Sequence, residues 1–168
     1  MLSRMGRTPA KRWTIVGMVL TFVAIATATF GGLAGYTRGG LQTVSPAVVG
    51  FGVALTVLSI AATFAAQLAM GASWRLGLDR RDYTDLVTNG PYRFVRNPIY
   101  AAMFGACLGV VMILPGPLMV AAFGGLFATV ELDVRLVEEQ HLRSQHEGSY
   151  AKWSASVGRF VPMFGRTR

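Results

Sequence analysis

The chain has 168 residues, 52% of them hydrophobic and 14% charged, with a formal net charge of +8. No Asp, Glu, Lys or Arg occurs at positions 13–37, 39–74 or 97–130, and each gap exceeds the roughly 20 residues that cross a bilayer. An ordinary water-soluble domain is therefore excluded, and the single cysteine, Cys107, excludes an internal disulfide and a cysteine-based zinc site.

The first apolar block, residues 13–36, follows a basic start (Arg4, Arg7, Lys11, Arg12). It is too long for the apolar core of a signal peptide and reads as a retained transmembrane helix. Gly39-Gly40 and Ser45-Pro46 mark a turn, and a second transmembrane helix is expected over 46–70, ended by Gly71 and the charges that follow. Residues 71–98 then form a polar connector. The third block is too long for one straight crossing, and Pro115-Gly116-Pro117 supplies a break. A helical hairpin is expected over 99–131, either spanning or re-entrant. Its second arm runs on as a polar helix to about His146 within a cytoplasmic C-terminal segment, 132–168. The fold class is thus an all-α integral membrane protein of about four transmembrane helices.

With four crossings, every Lys and Arg except Arg38 lies on one side, as do all eight acidic residues. The positive-inside rule makes that side cytoplasmic and places both termini there. Anionic headgroups account for the basicity, leaving nothing for nucleic acid to explain. A short chain with no targeting extension fits a prokaryotic inner membrane.

Two cytoplasmic segments stand out. Leu86 to Tyr100 contains the turn Asn89-Gly90-Pro91 and leads through Arg96-Asn97-Pro98 into the third block; as plain structure it is a loop anchored at the interface by Tyr and Arg. The second segment, Glu131 to His146, places Glu131, Arg135, Glu139 and Arg143 four apart, which a solvated ladder of ion pairs explains at about 0.2–0.5 kcal/mol each. His141 and His146 are spaced poorly for a shared metal and read as surface residues. Arg96 lies 19 residues before Pro115 and Glu138 lies 21 after Pro117. In antiparallel arms these positions come level, so Arg96, Asn97, Glu138 and Glu139 are expected at one cytoplasmic rim, a pocket for a ligand with hydroxyls and a positive centre.

At these residues the sequence resembles the isoprenylcysteine carboxyl methyltransferase family of small membrane methyltransferases. The family pattern is Gly-x-Tyr, Arg-His-Pro-x-Tyr, a hydrophobic hairpin, Glu-Glu-x-x-Leu, Tyr-x-x-aromatic and Val-x-Arg-x-x-Pro. Here it reads Gly90-Pro91-Tyr92, Arg96-Asn97-Pro98-Ile99-Tyr100, Glu138-Glu139-x-x-Leu142, Tyr150-x-x-Trp153 and Val157-x-Arg159-x-x-Pro162, over roughly residues 84–162.

The resemblance implies S-adenosylmethionine as methyl donor, bound by Val87, Tyr92, Arg96, Asn97, Pro98, Tyr100, Glu138 and Glu139. It also implies a lipophilic acceptor, such as an isoprenylcysteine carboxylate, oriented by Arg135 and Arg159, with Glu138 as a further catalytic candidate. The family histidine is Asn97 here, which removes a titratable group. The arginine that some members carry four residues before the first glutamate is Val134, with Arg135 one place along. Phospholipid or other lipid-amine N-methylation, a nicotinamide-dependent membrane reductase and a non-catalytic scaffold are the alternatives. A lateral gap between the hairpin and the N-terminal helices is the expected route for a lipid-borne acceptor.

Overall fold

Proline fixes where the apolar helices begin. In a computed structural model of the protein, residues 9–37, 44–71 and 86–166 are described; Arg4, Arg7, Arg38 and the charges from Arg75 to Asp85, on which the expected orientation rests, lie outside them. The elements are α1 (Pro9–Thr37), α2 (Pro46–Met70), a 3-10 turn (Gly90–Arg93), α3 (Pro98–Ile113), α4 (Pro117–Asp133), a π-helical segment (Val134–Glu138) and α5 (Glu139–Ser156). Helices α1 to α4 all start on proline, whose ring presets the helical φ and whose missing N–H would have had no helical partner. The Val48 N–H donates to Ser45 Oγ at 3.4 Å and closes the start of α2. Gly116 stands extended between α3 and α4, with its carbonyl accepting from Val120 N at 3.0 Å.

Two helical spans are long and apolar enough to cross a membrane by length and composition, Pro46–Met70 and Pro117–His146. The 25 residues of α2 reach about 38 Å, more than a hydrocarbon core of about 30 Å. Phe51, Leu58, Phe64 and Leu68 point outward from it, Leu68 with 81% of its surface exposed. An apolar face of that size is stable against lipid and would be a liability in water. The fold is a helical integral-membrane one, and no strand occurs among the described residues.

The chain divides into two compact units. The first holds α1, α4 and the π segment. Helices α1 and α4 run antiparallel, since a Cβ on Gly17 would meet Thr129 at 3.0 Å and one on Gly32 would meet Leu114 at 3.6 Å. Helix α4 buries Met119, Ala122, Leu126 and Val130, and Val134 continues the stripe.

The second unit holds α2, the loop from residue 86, α3 and the chain from residue 140. Its core is a seam of small residues. A Cβ on Gly109 would strike Thr56 Oγ1 and lie 2.6 Å from the Gly52 carbonyl oxygen, and one on Gly52 would lie 2.7 Å from the Gly109 carbonyl oxygen. A Cβ on Gly105 would strike Ser59 Oγ. Thr56 Oγ1 donates within its own helix to Gly52 O at 2.8 Å and across the seam to Ala106 O at 3.4 Å. Lipid gives two helices no hydrophobic reason to associate, so close backbone approach and such hydrogen bonds supply it. A Cβ on Gly31 or Gly124, by contrast, would meet nothing within 4 Å among the described residues.

The polar helix expected to end near His146 continues to Ser156. Gly148 alone is too weak a breaker, at about 1 kcal/mol relative to alanine, and the buried Tyr150 and Ser154 beyond it hold the last turns in place. His141 and His146, expected at the surface, are half-buried.

Gly109→Ala is expected to destabilise the protein by about 1–3 kcal/mol through overpacking, while Gly50→Ala, with open space around it, leaves it unchanged or slightly stabilised. Thermal unfolding of the two variants in the same detergent provides the comparison.

Candidate functional site

The loop before α3 is irregular because two prolines and a glycine shape it. Gly90 adopts a φ of +55°, and a Cβ there would touch the Ala69 side chain at the end of α2 at 3.4 Å. The 3-10 turn closes through Tyr92 N to Asn89 O (3.1 Å) and Phe94 N to Pro91 O (3.2 Å), which buries Tyr92. Val95 then forms an isolated parallel bridge with Gly158 of the tail. Arg96 N donates to Gly158 O at 2.8 Å and Asn97 N to Arg159 O at 3.0 Å. Gly158 has no room for a side chain, because a Cβ would strike Val161 O and lie 2.7 Å from Phe164 O.

Arg96 is 5% exposed. Its guanidinium donates to Gly165 O at 2.6 Å and to the Tyr150 hydroxyl at 3.4 Å, and Tyr150 is itself 1% exposed. One buried cation therefore joins the loop, α5 and the tail. Asn97 starts α3, its carbonyl accepting from Ala101 N at 3.0 Å, and its side-chain amide donates to Arg159 O at 3.4 Å. Pro98 is buried in the first turn of α3; Tyr100 and Val87 are half-buried. The Arg159 N–H donates to Phe164 O at 2.8 Å. Arg96, Asn97 and Arg159 thus come together, and Tyr92, Pro98 and Tyr100 belong to the same unit.

Arg135, Glu138 and Glu139 belong to the first. Arg135 pairs with Glu131 one turn earlier and is largely exposed, the first rung of the expected ladder. The buried stripe of α4 recurs every three or four residues to Val134, and then Glu139 follows at five. The π segment is the cause: the Glu139 N–H reaches back to Val134 O, five residues instead of four. The extra residue turns Glu139 onto the buried face, where it is 6% exposed, and leaves Glu138 half-buried. Single π turns are frequent at functional sites because they re-aim a side chain without ending the helix. Sequence reasoning paired the two glutamates as equals and missed this difference, because apolar periodicity does not count a glutamate. It also missed Tyr150 and Gly165 as partners of Arg96. Among the described residues, no group of His, Cys, Asp and Glu is arranged to hold a metal ion.

Long apolar helices with outward-facing side chains, and an irregular loop pinned at the head of α3, define a helical membrane protein. The sequence profile of the phospholipid methyltransferase family matches residues 47–148. The fold is similar to that of a eukaryotic intramembrane Ras methyltransferase, isoprenylcysteine carboxyl methyltransferase, with a TM-score of 0.63 and 21% identity over 98% of this chain and 56% of the other. This chain therefore spans little more than half the length of that protein. No curated protein matches it. The profile covers more than half of the sequence, and the chain belongs to the phospholipid methyltransferase family, a family of membrane methyltransferases.

Arg96→Gln is expected to leave the Gly165 carbonyl and Tyr150 hydroxyl without their donor, at about 1–3 kcal/mol for each orphaned group, and to free the tail. Tyr150→Phe, losing one long hydrogen bond, costs about 0.5–1 kcal/mol. Limited trypsin digestion at Arg159 and Arg166 in detergent distinguishes them: rapid cleavage of the first variant and near-native resistance of the second.

Proposed function

We propose that the protein transfers the methyl group of S-adenosylmethionine to the carboxylate of a lipophilic, isoprenylcysteine-like acceptor at the cytoplasmic face of its membrane. Family membership supports methyl transfer. The buried carboxylate of Glu139 carries the assignment of the donor: a carboxylate withheld from water suits a ligand that brings a positive charge and hydroxyl donors. Glu138 and Glu139 would hold polar groups of the donor. Val87, Tyr92, Asn97, Pro98 and Tyr100 would contribute from the loop and α3, with Arg96 keeping that loop in place.

When bound, the donor supplies an electrophilic methyl group on a sulfonium. An ionised acceptor carboxylate is a sufficient nucleophile. Transfer to it would form a carbon–oxygen bond as the carbon–sulfur bond broke, leaving the electron pair on sulfur and no proton for the protein to move. Such a reaction needs alignment and exclusion of water more than acid or base catalysis, in keeping with Asn97 standing where the family has a histidine. Arg135 or Arg159 would orient the acceptor carboxylate through paired hydrogen bonds.

The matched profile favours a second reading, N-methylation of a phospholipid amine. An amine must lose a proton to react, and Glu138 would then be the base.

Calorimetric titration of S-adenosylmethionine into detergent-purified protein is expected to show saturable binding, weakened at least about tenfold by Glu139→Gln, in line with the roughly 1.5–3 kcal/mol of a charge-assisted hydrogen bond. Undiminished binding to that variant would remove Glu139 from the site, and no binding to the intact protein would sink the methyl-transfer reading. With labelled donor, a carboxyl acceptor gives a product that releases methanol in base and a rate that is flat above the acceptor's acid pKa. An amine acceptor gives a base-stable product and a rate that climbs with pH.

A further inference from the structure

The tail that meets the loop also carries an apolar surface of its own. Arg159 N donates to Phe164 O at 2.8 Å and Phe164 N to Val161 O at 3.1 Å, closing a tight turn in which Met163 and Gly165 have φ values of 70° and 71°. A non-glycine residue at such a φ is uncommon. The conformation leaves Val161, Met163 and Phe164 on the outside, Met163 and Phe164 with 70% and 73% of their surfaces exposed. Phe94 is also exposed, one residue before the Val95 bridge to Gly158.

The depth of this turn follows from its contacts. The ring of Phe160 packs edge-on against Phe104, with centroids 5.2 Å apart. Phe104 stands six residues into α3 (Pro98–Ile113), about 9 Å along its axis. The tail therefore lies beside the first turns of an apolar helix.

Charge points the same way. The Arg93 guanidinium sits 4.5 Å from the centroid of the Phe94 ring. Lys152, Arg159 and Arg166 lie in the last part of the chain, and no Asp or Glu occurs at 86–130 or 148–168. Amphipathic surfaces with aromatic and basic side chains settle at the headgroup boundary, burying the rings and leaving the cations at the phosphates.

We propose that the turn 159–166, together with Phe94, is a membrane-interface anchor. Val161, Met163, Phe164 and Phe94 enter the boundary between headgroups and acyl chains, and Arg93 and Arg166 engage the phosphates of anionic phospholipids. The occupant of this surface is the bilayer in which the chain itself resides. The anchor holds the loop from Val87 to Asn97 at headgroup depth through the Val95–Gly158 pairing, whatever acceptor is methylated.

The test is spin labelling of the full chain in nanodiscs, on a Cys107→Ala background, at Met163→Cys and Phe164→Cys. Leu108→Cys, exposed on α3, is the lipid-facing reference, and Ala151→Cys, exposed on the polar helix α5, is the aqueous one. Power saturation is expected to show both tail labels several-fold more accessible to oxygen than to a water-soluble nickel chelate, as at Leu108. Replacing half of the phosphatidylcholine by phosphatidylglycerol should deepen them further, a response lost in Arg93→Gln/Arg166→Gln. Tail labels as open to nickel as the one at Ala151 would overturn the anchor. No response to anionic lipid would overturn the assignment to phosphate, and dipolar broadening that disappears on dilution with unlabelled protein would identify a second copy of the chain as the occupant instead.

Discussion

The guanidinium of Arg96, almost wholly withdrawn from solvent, is the tie on which the arrangement of the second unit depends. A buried cation of this kind is tolerated only where hydrogen-bond acceptors meet it, and two do, one on α5 and one on the tail. Around it the backbone of the loop pairs with the tail, and Asn97 starts α3 from the same point. The loop gains from this a fixed geometry that its own sequence, broken by Pro91 and Pro98, could not provide. A loop made of backbone turns needs such external support, since alignment degrades quickly when the supporting shell is loose.

The π segment acts by a different device. Within α4 the buried positions follow ordinary helical spacing, and one extra residue then rotates what comes next. The same turn of helix thereby presents two adjacent carboxylates in unequal settings, Glu139 buried and Glu138 partly open. Two carboxylates of one residue type are in this way given different surroundings, one withdrawn from water and the other in contact with it.

The all-helical membrane fold was legible because its causes are local. Uncharged runs longer than a bilayer is thick, Ser45-Pro46 at the head of α2 and Pro115-Gly116-Pro117 between α3 and α4 each act within a few residues. The site was legible only as a set of residue types in order. An arginine at a membrane edge reads as a headgroup anchor. That Arg96 is buried instead depends on acceptors 54 and 69 residues away, and one of these is a backbone carbonyl, which any residue supplies. The bridge between Val95 and Gly158 is likewise made by backbone and leaves no pattern in side chains. The π segment escaped because the position after Val134 on the buried face is a glutamate, which apolar periodicity does not count.

The glycine seam also settles a question of traffic. Where Gly52 and Gly109 bring α2 and α3 together, even one methyl group has no space. A prenyl or acyl chain is far wider than a methyl group, so no lipid tail slips between these two helices. Of the gap expected between the hairpin and the N-terminal helices, the part where α2 and α3 cross at these glycines is shut.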